Sequence, residues 1–291
     1  MKNILVPIDF SESSRNAAKA AIFMAQKAAA TIHLIHIVKA PSDWSALSVA
    51  AQQRYPDIET SIVDAEIRLA RYASDEQFRD YEVNTHVEGG VPYEAIVHFA
   101  KSKGIKLIVM GAHGAGETDS LFIGSTAQRV MRLAECPVLS VKRNTELNNV
   151  TRILFPSDFD EDISRAIDIV SDLAELLSAE VDLLYVNTPA HFTDTETAEE
   201  RMDNFVPLQD RIRFHTSIVN DYDMERGVLR FIKERKPQLL AMVTHRRDSK
   251  PAYMISATDT LLFRSDVPVL SMVMPKKNTK DTLYEKDTRT V

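Results

Sequence analysis

The chain has 291 residues, of which 44% are hydrophobic and 26% charged, and its formal net charge is −7. This length predicts about two globular domains, and the acidic balance argues against a nucleic-acid partner, which requires a basic face. No stretch approaches the ~20 apolar residues of a membrane span, and residues 1–10 lack a signal-type pattern, so we expect a cytoplasmic protein with no membrane partner. The single cysteine, Cys136, excludes an internal disulfide and lies in an apolar run typical of a buried structural thiol.

Short apolar runs alternate with amphipathic stretches along the first half. The predicted strands are residues 4–8, 31–38, 83–87, 107–110 and 138–141, and the predicted helices are residues 11–28, 93–103 and 124–134. Strands that are apolar on both faces and alternate with helices predict a parallel, doubly wound α/β sheet. In such sheets ligands bind beyond the carboxyl ends of the strands, where Asp9, Val38 and Gly111 stand.

The second half repeats the apolar segments of the first in the same order. The pairs are 4–11 with 153–160, 34–37 with 183–186, 107–110 with 239–242, and 136–141 with 267–272. This self-similarity predicts a tandem duplication, with one domain at 1–143, a second at 151–275 and a polar linker within 142–150. Residues 276–291 are charged and nearly free of apolar side chains, which predicts a disordered tail.

A glycine loop follows the fourth predicted strand and occurs only in the first half. It reads Gly111-Ala112-His113-Gly114, then nine residues, then Gly124-Ser125-Thr126. Glycines at a strand end can adopt a positive φ and let a ligand approach the backbone more closely than a Cβ would permit. The helix that begins near Gly124 offers free N–H groups and a positive dipole end. The loop therefore predicts an anion site, although a tight turn without a ligand has the same composition.

The order of these motifs resembles the universal stress protein family. The matching segments are Val6-Pro7-Ile8-Asp9, Gly90-Val91-Pro92, the glycine loop and Cys136-Pro137-Val138-Leu139. The resemblance covers nearly the whole chain as two tandem copies. It implies an adenine-nucleotide alpha hydrolase-like fold with five parallel strands in each domain. Because the family usually dimerises through its last strand, we expect the two halves to pair as an internal pseudo-dimer through 136–141 and 267–272, and a further homodimer is left open.

The resemblance also implies the base and ribose side of a nucleotide site in the first half. Pro7 belongs to the first-strand motif, and Asp9 would face the adenine and ribose. Val38 would border the adenine through its backbone, and Met110 and Gly111 would flank the ribose. A carboxylate suits this position because it accepts hydrogen bonds from ribose hydroxyls. A purely structural role for Asp9 at the start of the following helix is the alternative.

On the phosphate side, the resemblance implies five further residues. His113 and Gly114 would lie along the phosphate loop, whereas Gly124, Ser125 and Thr126 would hold phosphates through N–H and hydroxyl donors. The alternative for His113 is a loop-stabilising role, because a histidine also follows the corresponding strand of the second half, at position 245.

The second half keeps the first-strand aspartate but loses the glycines. The corresponding residues are Asp158 for Asp9, Asn187 for Val38, Val243 for Gly111, Arg246 for Gly114, and 255–256 or 256–257 for the helix start. Valine disfavours a positive φ, and its Cβ would crowd a phosphate. We therefore expect no ATP binding of the family type there. Arg246 and Arg247 either form a solvated basic loop or hold another anion.

The loop lacks the charges that phosphoryl transfer requires. It has no lysine of the G-x4-G-K-[ST] type, no arginine of its own and no evident second carboxylate for Mg²⁺. The sequence therefore predicts a stress-response regulator that binds ATP, ADP or AMP, with or without Mg²⁺, and has no assigned catalytic or metal residues. Its protein partner is unknown.

Two alternatives remain at this point. One is a slow ATPase of the same fold. The other is a nucleotide-free interaction module that uses residues 41–80, which contain the only tryptophan, Trp44. For Trp44 and the amphipathic stretch 58–72, packing on the protein's own core is the favoured interpretation.

Overall fold

The computed structural model describes residues 2–112, 124–142, 145–160, 163–206, 211–245, 260–261 and 264–274. In these ranges the strands are β1 (Asn3–Pro7), β2 (Thr31–Lys39), β3 (Val83–Gly90), β4 (Leu107–Gly111), β5 (Val138–Val141), β6 (Arg152–Pro156), β7 (Glu180–Asn187), β8 (Phe214–Asn220), β9 (Leu239–His245) and β10 (Val269–Met274). The helices are α1 (Glu12–Ala28), α2 (Val49–Gln52), α3 (Pro56–Ala73), α4 (Pro92–Ser102), α5 (Ser125–Leu133), α6 (Ser164–Leu177), α7 (Thr195–Asp203) and α8 (Met224–Arg235). The predicted strands and helices of the first half are confirmed to within a few residues at their ends.

All ten strands form one sheet, in the order β3-β2-β1-β4-β5-β10-β9-β6-β7-β8. Neighbours within each half are parallel, and the two halves join where β5 and β10 pair antiparallel, with Leu139 opposite Leu270. The predicted pair of tandem α/β domains that meet through their last strands is thus confirmed. The two five-stranded sheets are continuous rather than separate.

Buried apolar side chains cover both faces of this sheet and extend across both halves. Ile4 and Leu183 belong to the layer under α1, α3, α6 and α7, whereas Leu5 and Leu240 belong to the layer under α4, α5 and α8. Strands with two buried faces read as continuous apolar runs, which is why the sequence predicted a parallel sheet. The two halves therefore share their core.

The linker between the halves is packed against the protein, although its composition is polar. Leu147 and Val150 are buried, and a single 3-10 turn at Leu147–Asn149 lies against α1. The Lys142 ammonium donates a hydrogen bond to the Ser265 carbonyl, and burial lowers the pKa of Lys142. Two apolar anchors thus fix a segment that composition alone assigns to solvent. The predicted tail, 276–291, lies outside the described residues.

The halves differ most between their second and third strands. The first half inserts α2 and α3 there, whereas in the second half the described residues of this segment form the single helix α7. Trp44 is buried against Gly89, where an added Cβ would lie 2.4 Å from the indole Cδ1. Packing of Trp44 on the protein's own core is therefore confirmed. On α3, Leu69 is buried, whereas Val63 is exposed.

Candidate functional site

The carboxyl ends of β1 and β4 lie side by side at the point where the strand order of the first half reverses. β1 pairs with β2 on one side and with β4 on the other. Pro7 ends β1, Asp9 follows it as an exposed residue, and Met110 and Gly111 end β4. Ligands of doubly wound sheets bind at such switch points. The fold thus brings together four of the residues that the sequence singled out.

The glycine loop is closed at its base by backbone hydrogen bonds. The Gly124 N–H donates to the Ala112 carbonyl at 2.9 Å, and the Ala112 N–H donates to the Val141 carbonyl at 2.9 Å. Ala112 and Gly124, the described residues on either side of the loop, therefore meet at one point between β4 and α5. The predicted residues His113 and Gly114 lie outside the described residues.

Helix α5 presents an open amino end beside this closure. Gly124 is its N-cap and, being a glycine, makes no side-chain capping hydrogen bond to the first turn. Ser125 is exposed and Thr126 half-buried in the first turn. The first-turn N–H groups of a helix have no partner inside the helix, and the dipole favours an anion there. The arrangement can therefore accept an anionic group from N–H and hydroxyl donors.

Asp9 also fastens the turn that leads into α1. Its Oδ1 accepts hydrogen bonds from the Ser11 N–H at 3.0 Å and the Ser11 hydroxyl at 2.5 Å, and the Ser11 Oγ accepts from the Ser14 N–H at 3.1 Å. Phe10, between them, has a φ of +63°. A left-handed conformation costs a non-glycine residue about 1–2 kcal/mol, so the Asp9 hydrogen bonds help to hold a strained turn.

The second half repeats this turn. Phe159 has a φ of +55°, and the Asp160 N–H donates to Asp158 Oδ1 at 3.3 Å. A structural role therefore explains why the aspartate persists where the glycines do not. Asp9 remains exposed at the candidate site, so the structural role leaves room for a ligand contact.

A cation that the sequence did not predict lies beside this turn. The Arg68 guanidinium, from α3, lies 4.0 Å from the centre of the Phe10 ring. The centre of the His36 ring lies 4.9 Å from the centre of the same Phe10 ring. The His36 Nδ1–H donates to the Ile8 carbonyl at 2.6 Å. Arg68 is separated from Phe10 along the chain by α1, β2, α2 and most of α3, so spacing within the motifs gave no signal for it. The available sequence signal for this turn was the pair Asp9-Phe10, which the second half repeats as Asp158-Phe159.

The backbone pairing of β2 decides which of its groups face the site. The Ala40 N–H donates to the Gly90 carbonyl of β3, whereas the Ile35 carbonyl accepts from the side of β1. Backbone groups alternate between the two neighbours along a strand, so those of Val38 face β3. The pairing of β1 ends opposite Ile35. The N–H and C=O of Ile37 therefore point past the end of β1, toward the candidate site, and sequence reasoning missed this residue.

Gly111 is required by packing rather than by its backbone angles. It does not have a positive φ, and Gly124 has a φ of −57°, so neither glycine uses the left-handed conformation that glycine permits. A Cβ on Gly111 would instead lie 2.2 Å from the Ser13 Oγ and 2.8 Å from the Ser13 carbonyl carbon. The missing side chain lets the first turn of α1 cross the end of β4.

The corresponding contact differs in the second half. Val243 stands in place of Gly111, and α6 begins at Ser164, three residues after the position equivalent to Glu12, where α1 begins. A β-carbon at this strand end thus accompanies a later helix start. The basic residues at 246–247 and the helix start at 255–257 lie outside the described residues.

The end of β7 is also arranged differently from the end of β2. Asn187, which corresponds to Val38, is buried; its Nδ2 donates to the Thr193 carbonyl at 2.9 Å, and its Oδ1 accepts from the Thr193 N–H at 3.0 Å. The Tyr185 hydroxyl donates to the Thr193 Oγ1 at 2.8 Å. These bonds hold the segment after β7 against the carboxyl end of its own strand. The Asn187 side chain therefore stabilises the local fold rather than facing a nucleotide base.

The Cys136 thiol is not suited to act as a catalytic nucleophile. Burial raises the pKa of its thiol to about 11, so the thiol stays protonated at neutral pH.

In the described ranges, no group of three or more His, Cys, Asp or Glu side chains is arranged to hold a metal ion. Among the helices that the structure describes, none is long and apolar enough to cross a membrane.

Comparison with known proteins gives a consistent family. The model of the universal stress protein family matches residues 1–142 and 149–271. Universal stress protein MJ0531 of Methanocaldococcus jannaschii is 33% identical over 144 residues, which are 49% of this chain and 82% of that protein. A solved universal stress protein from Archaeoglobus fulgidus superposes with a TM-score of 0.71 at 17% identity, over 93% of this chain and 98% of that one, and so shares the fold.

A further solved universal stress protein, in complex with cAMP, is 22% identical over 49% of this chain and 99% of its own, with a TM-score of 0.33. The complex with cAMP is a finding about that protein and is not assigned to this chain. The two family-model matches fall on the two halves that β5 and β10 join in the sheet. The chain belongs to the universal stress protein family and carries two copies of its domain in tandem.

Proposed function

We propose that this protein is a stress-response regulator that binds one adenine nucleotide, ATP, in its first half without fast turnover. The observation that carries the proposal is the open amino end of α5 beside the closed base of the glycine loop. This anion-accepting end lies at the switch point of a doubly wound sheet, where nucleotides bind in this fold class. The proposed domain division is 1–143 and 151–275.

Phosphates would bind at the amino end of α5. The N–H groups of its first turn and the hydroxyls of Ser125 and Thr126 are the donors, and His113 and Gly114 would contribute from the loop. Because these donors are neutral, most of the phosphate charge would be balanced by solvent and by Mg²⁺ held on the phosphates themselves. ADP and AMP are the alternative occupants, because they present the same adenosine.

The adenosine would lie across the ends of β1, β2 and β4. Asp9 accepts from the ribose hydroxyls, and Met110 and Gly111 flank the sugar. We assign the backbone contact with the adenine edge to Ile37, next to the sequence-based choice Val38, because the N–H and C=O of Ile37 point past the end of β1. One donor and one acceptor on the same residue match the paired acceptor and donor of an adenine edge.

We expect slow turnover because of the charged groups that the first half can place beside the transition state of phosphoryl transfer. The loop sequence supplies no lysine or arginine, and Arg68 lies over the Phe10 ring. Phosphoryl transfer depends on charges placed at the transferred group. Occupancy of the site is then the signal, which a protein partner would read. Phosphate release from ATP that Asp9→Ala abolishes would favour the ATPase alternative instead.

Isothermal calorimetry with ATP and ADP tests the proposal. Wild type is expected to bind, and Gly114→Arg is expected to abolish binding, because the side chain fills the phosphate loop. Arg246→Gly, the reverse change at the corresponding position of the second half, is the matched control and should leave the affinity unchanged. Absence of binding by wild type, or unaltered binding by Gly114→Arg, would remove the claim.

A further inference from the structure

A groove of about 1060 Å³ lies at the base of the first half, on the side opposite the nucleotide site. One wall is the amino-terminal base of the first-half sheet, and the other is helix α6 of the second half. Apolar side chains line both walls: Met24, Ile105 and Pro137 on the first, and Ile169, Leu173 and Leu176 on the second. Charged side chains lie among them, including Lys101 and Glu135 on the first wall and Arg165 and Asp172 on the second. The groove therefore offers an apolar surface, interspersed with charged groups, that spans both halves.

The equivalent position beneath the second half is filled by the linker. There Leu147 is 4% and Val150 2% exposed, packed with α1 in the shared core. The linker is also tied to the second half, because the Lys142 ammonium donates to the Ser265 carbonyl and the Thr151 N–H donates to Gln238 Oε1 at 3.1 Å. A segment that leaves the last strand of one half thus packs beneath the other half.

Because β5 pairs with β10, the chain that follows β10 should pack beneath the first half as the linker packs beneath the second. The two strands run antiparallel about Leu139 and Leu270, so the halves are related by an approximate two-fold axis. The linker leaves the carboxyl end of β5 at the base of the second half. By the same geometry, the chain after Met274 leaves β10 at the base of the first half, where the groove lies.

A similar run of residue types follows β10, three positions later than the two-fold would place it. Lys142-Arg143-Asn144-Thr145, with Leu147 two residues further on, resembles Lys276-Lys277-Asn278-Thr279, with Leu283 four residues further on. In the linker, the Lys142 N–H donates to the Thr145 Oγ1 at 2.8 Å, and Leu147 is the buried anchor after this turn. The similar run thus includes both a turn-forming and an apolar position.

We propose that residues 275–291 bind in this groove, with Leu283 in the position that Leu147 occupies beneath the second half. Leu283 follows Met274 by nine positions, and an extended chain over that distance in sequence spans roughly 30 Å, which is ample to reach the groove. The composition that predicts a disordered tail describes the tail in isolation. The groove supplies the apolar surface that the tail lacks, and the bound tail latches the base of the first half to α6. This inference is independent of the nucleotide.

Cys136 is a built-in reporter for this contact. It lies in the groove wall, is partly exposed, and is the only cysteine of the chain. The rate of its alkylation by a maleimide would be measured in four forms: the full chain, a chain ending at Met274, Leu283→Asp, and the matched control Thr288→Asp. The truncated chain and Leu283→Asp are expected to react about tenfold faster than the full chain, as for a docked state favoured tenfold over an open one. Thr288→Asp should react like the full chain.

The same measurement separates the other occupants of the groove. A peptide of residues 275–291 added to the truncated chain should restore the slow rate. Equal rates in all four forms, whether fast or slow, would overturn the proposal. Protection of the full chain that disappears on dilution would assign the groove to a second copy and also overturn it. Leu283→Asp keeps the test valid if truncation disturbs folding, which circular dichroism would reveal.

Discussion

The two halves share a fold but differ at the strand ends where a ligand would bind. Both keep the aspartate turn with its left-handed phenylalanine, and both contribute their last strand to the centre of the sheet. At the fourth strand, however, the first half has Gly111 against the start of α1, whereas the second half has Val243 and a later helix start. The repeat thus retained the aspartate turn and the central strand pair and changed the packing at the end of the fourth strand.

The halves also differ at the amino end of the sheet, far from the candidate site. His33 of β2 and Asp182 of β7 occupy equivalent positions. In the first half, the His33 Nδ1 lies 3.1 Å from the His86 Nε2. In the second, Asp182 is buried and accepts from the Arg152 guanidinium at 2.6 Å. One position thus carries a neutral pair in one copy and an ion pair in the other.

Breaking the ion pair should have the largest effect. Arg152→Ala leaves the buried Asp182 carboxylate without its cation, so we expect a loss of about 2–4 kcal/mol in the free energy of unfolding. Arg213→Ala removes the arginine of an exposed pair with Glu180 and should cost less than about 1 kcal/mol. Urea denaturation of both variants makes the comparison. Equal losses would show that Asp182 is not held by Arg152.

Adding a Cβ at the end of β4 should have the next largest effect. Gly111→Ala pushes against Ser13, and overpacking of this kind costs about 1–3 kcal/mol. Gly124→Ala is the control, because its φ of −57° suits any residue and an alanine N-cap costs about 1 kcal/mol or less. Thermal denaturation would rank the two variants. A Gly111→Ala variant as stable as wild type would refute the packing role of this glycine.

The histidine pair should give the smallest effect, visible as a dependence on pH. Burial lowers the pKa of both His33 and His86 below the ordinary value of 6.5, and for His86 the neighbouring His33 adds to the lowering. The surrounding groups are Phe99, Glu82 and Lys103. As the pH falls below 6.5, the unfolded chain takes up protons first, so stability is full above that pH and declines below it.

We therefore expect His86→Gln to reduce the loss of unfolding free energy between about pH 7 and pH 5 relative to wild type. His191→Gln, at an exposed histidine of the second half, is the control and should keep the wild-type dependence. Guanidinium denaturation at the two pH values measures it. Parallel pH curves for wild type and His86→Gln would exclude the pair as the cause.

The fold was largely predictable because its signals are local and repeated. Four apolar segments in the same order gave the duplication, and the resemblance to the family gave the expected pairing through β5 and β10. The site was less predictable because it depends on registers and crossings. Only the pairing of β2 shows that Ile37 faces the site, and only the crossing of α1 explains Gly111. Leu147 shows the same limit, since a polar segment is anchored by a partner distant in sequence.

The central claim is that one half binds a nucleotide and the other does not. Equilibrium dialysis with labelled ATP measures this most directly as the number of nucleotides bound per chain at saturation. We expect a plateau of one in wild type and in Arg246→Gly, and none in Gly114→Arg. A plateau of two, or a plateau of one that persists in Gly114→Arg, would contradict the account.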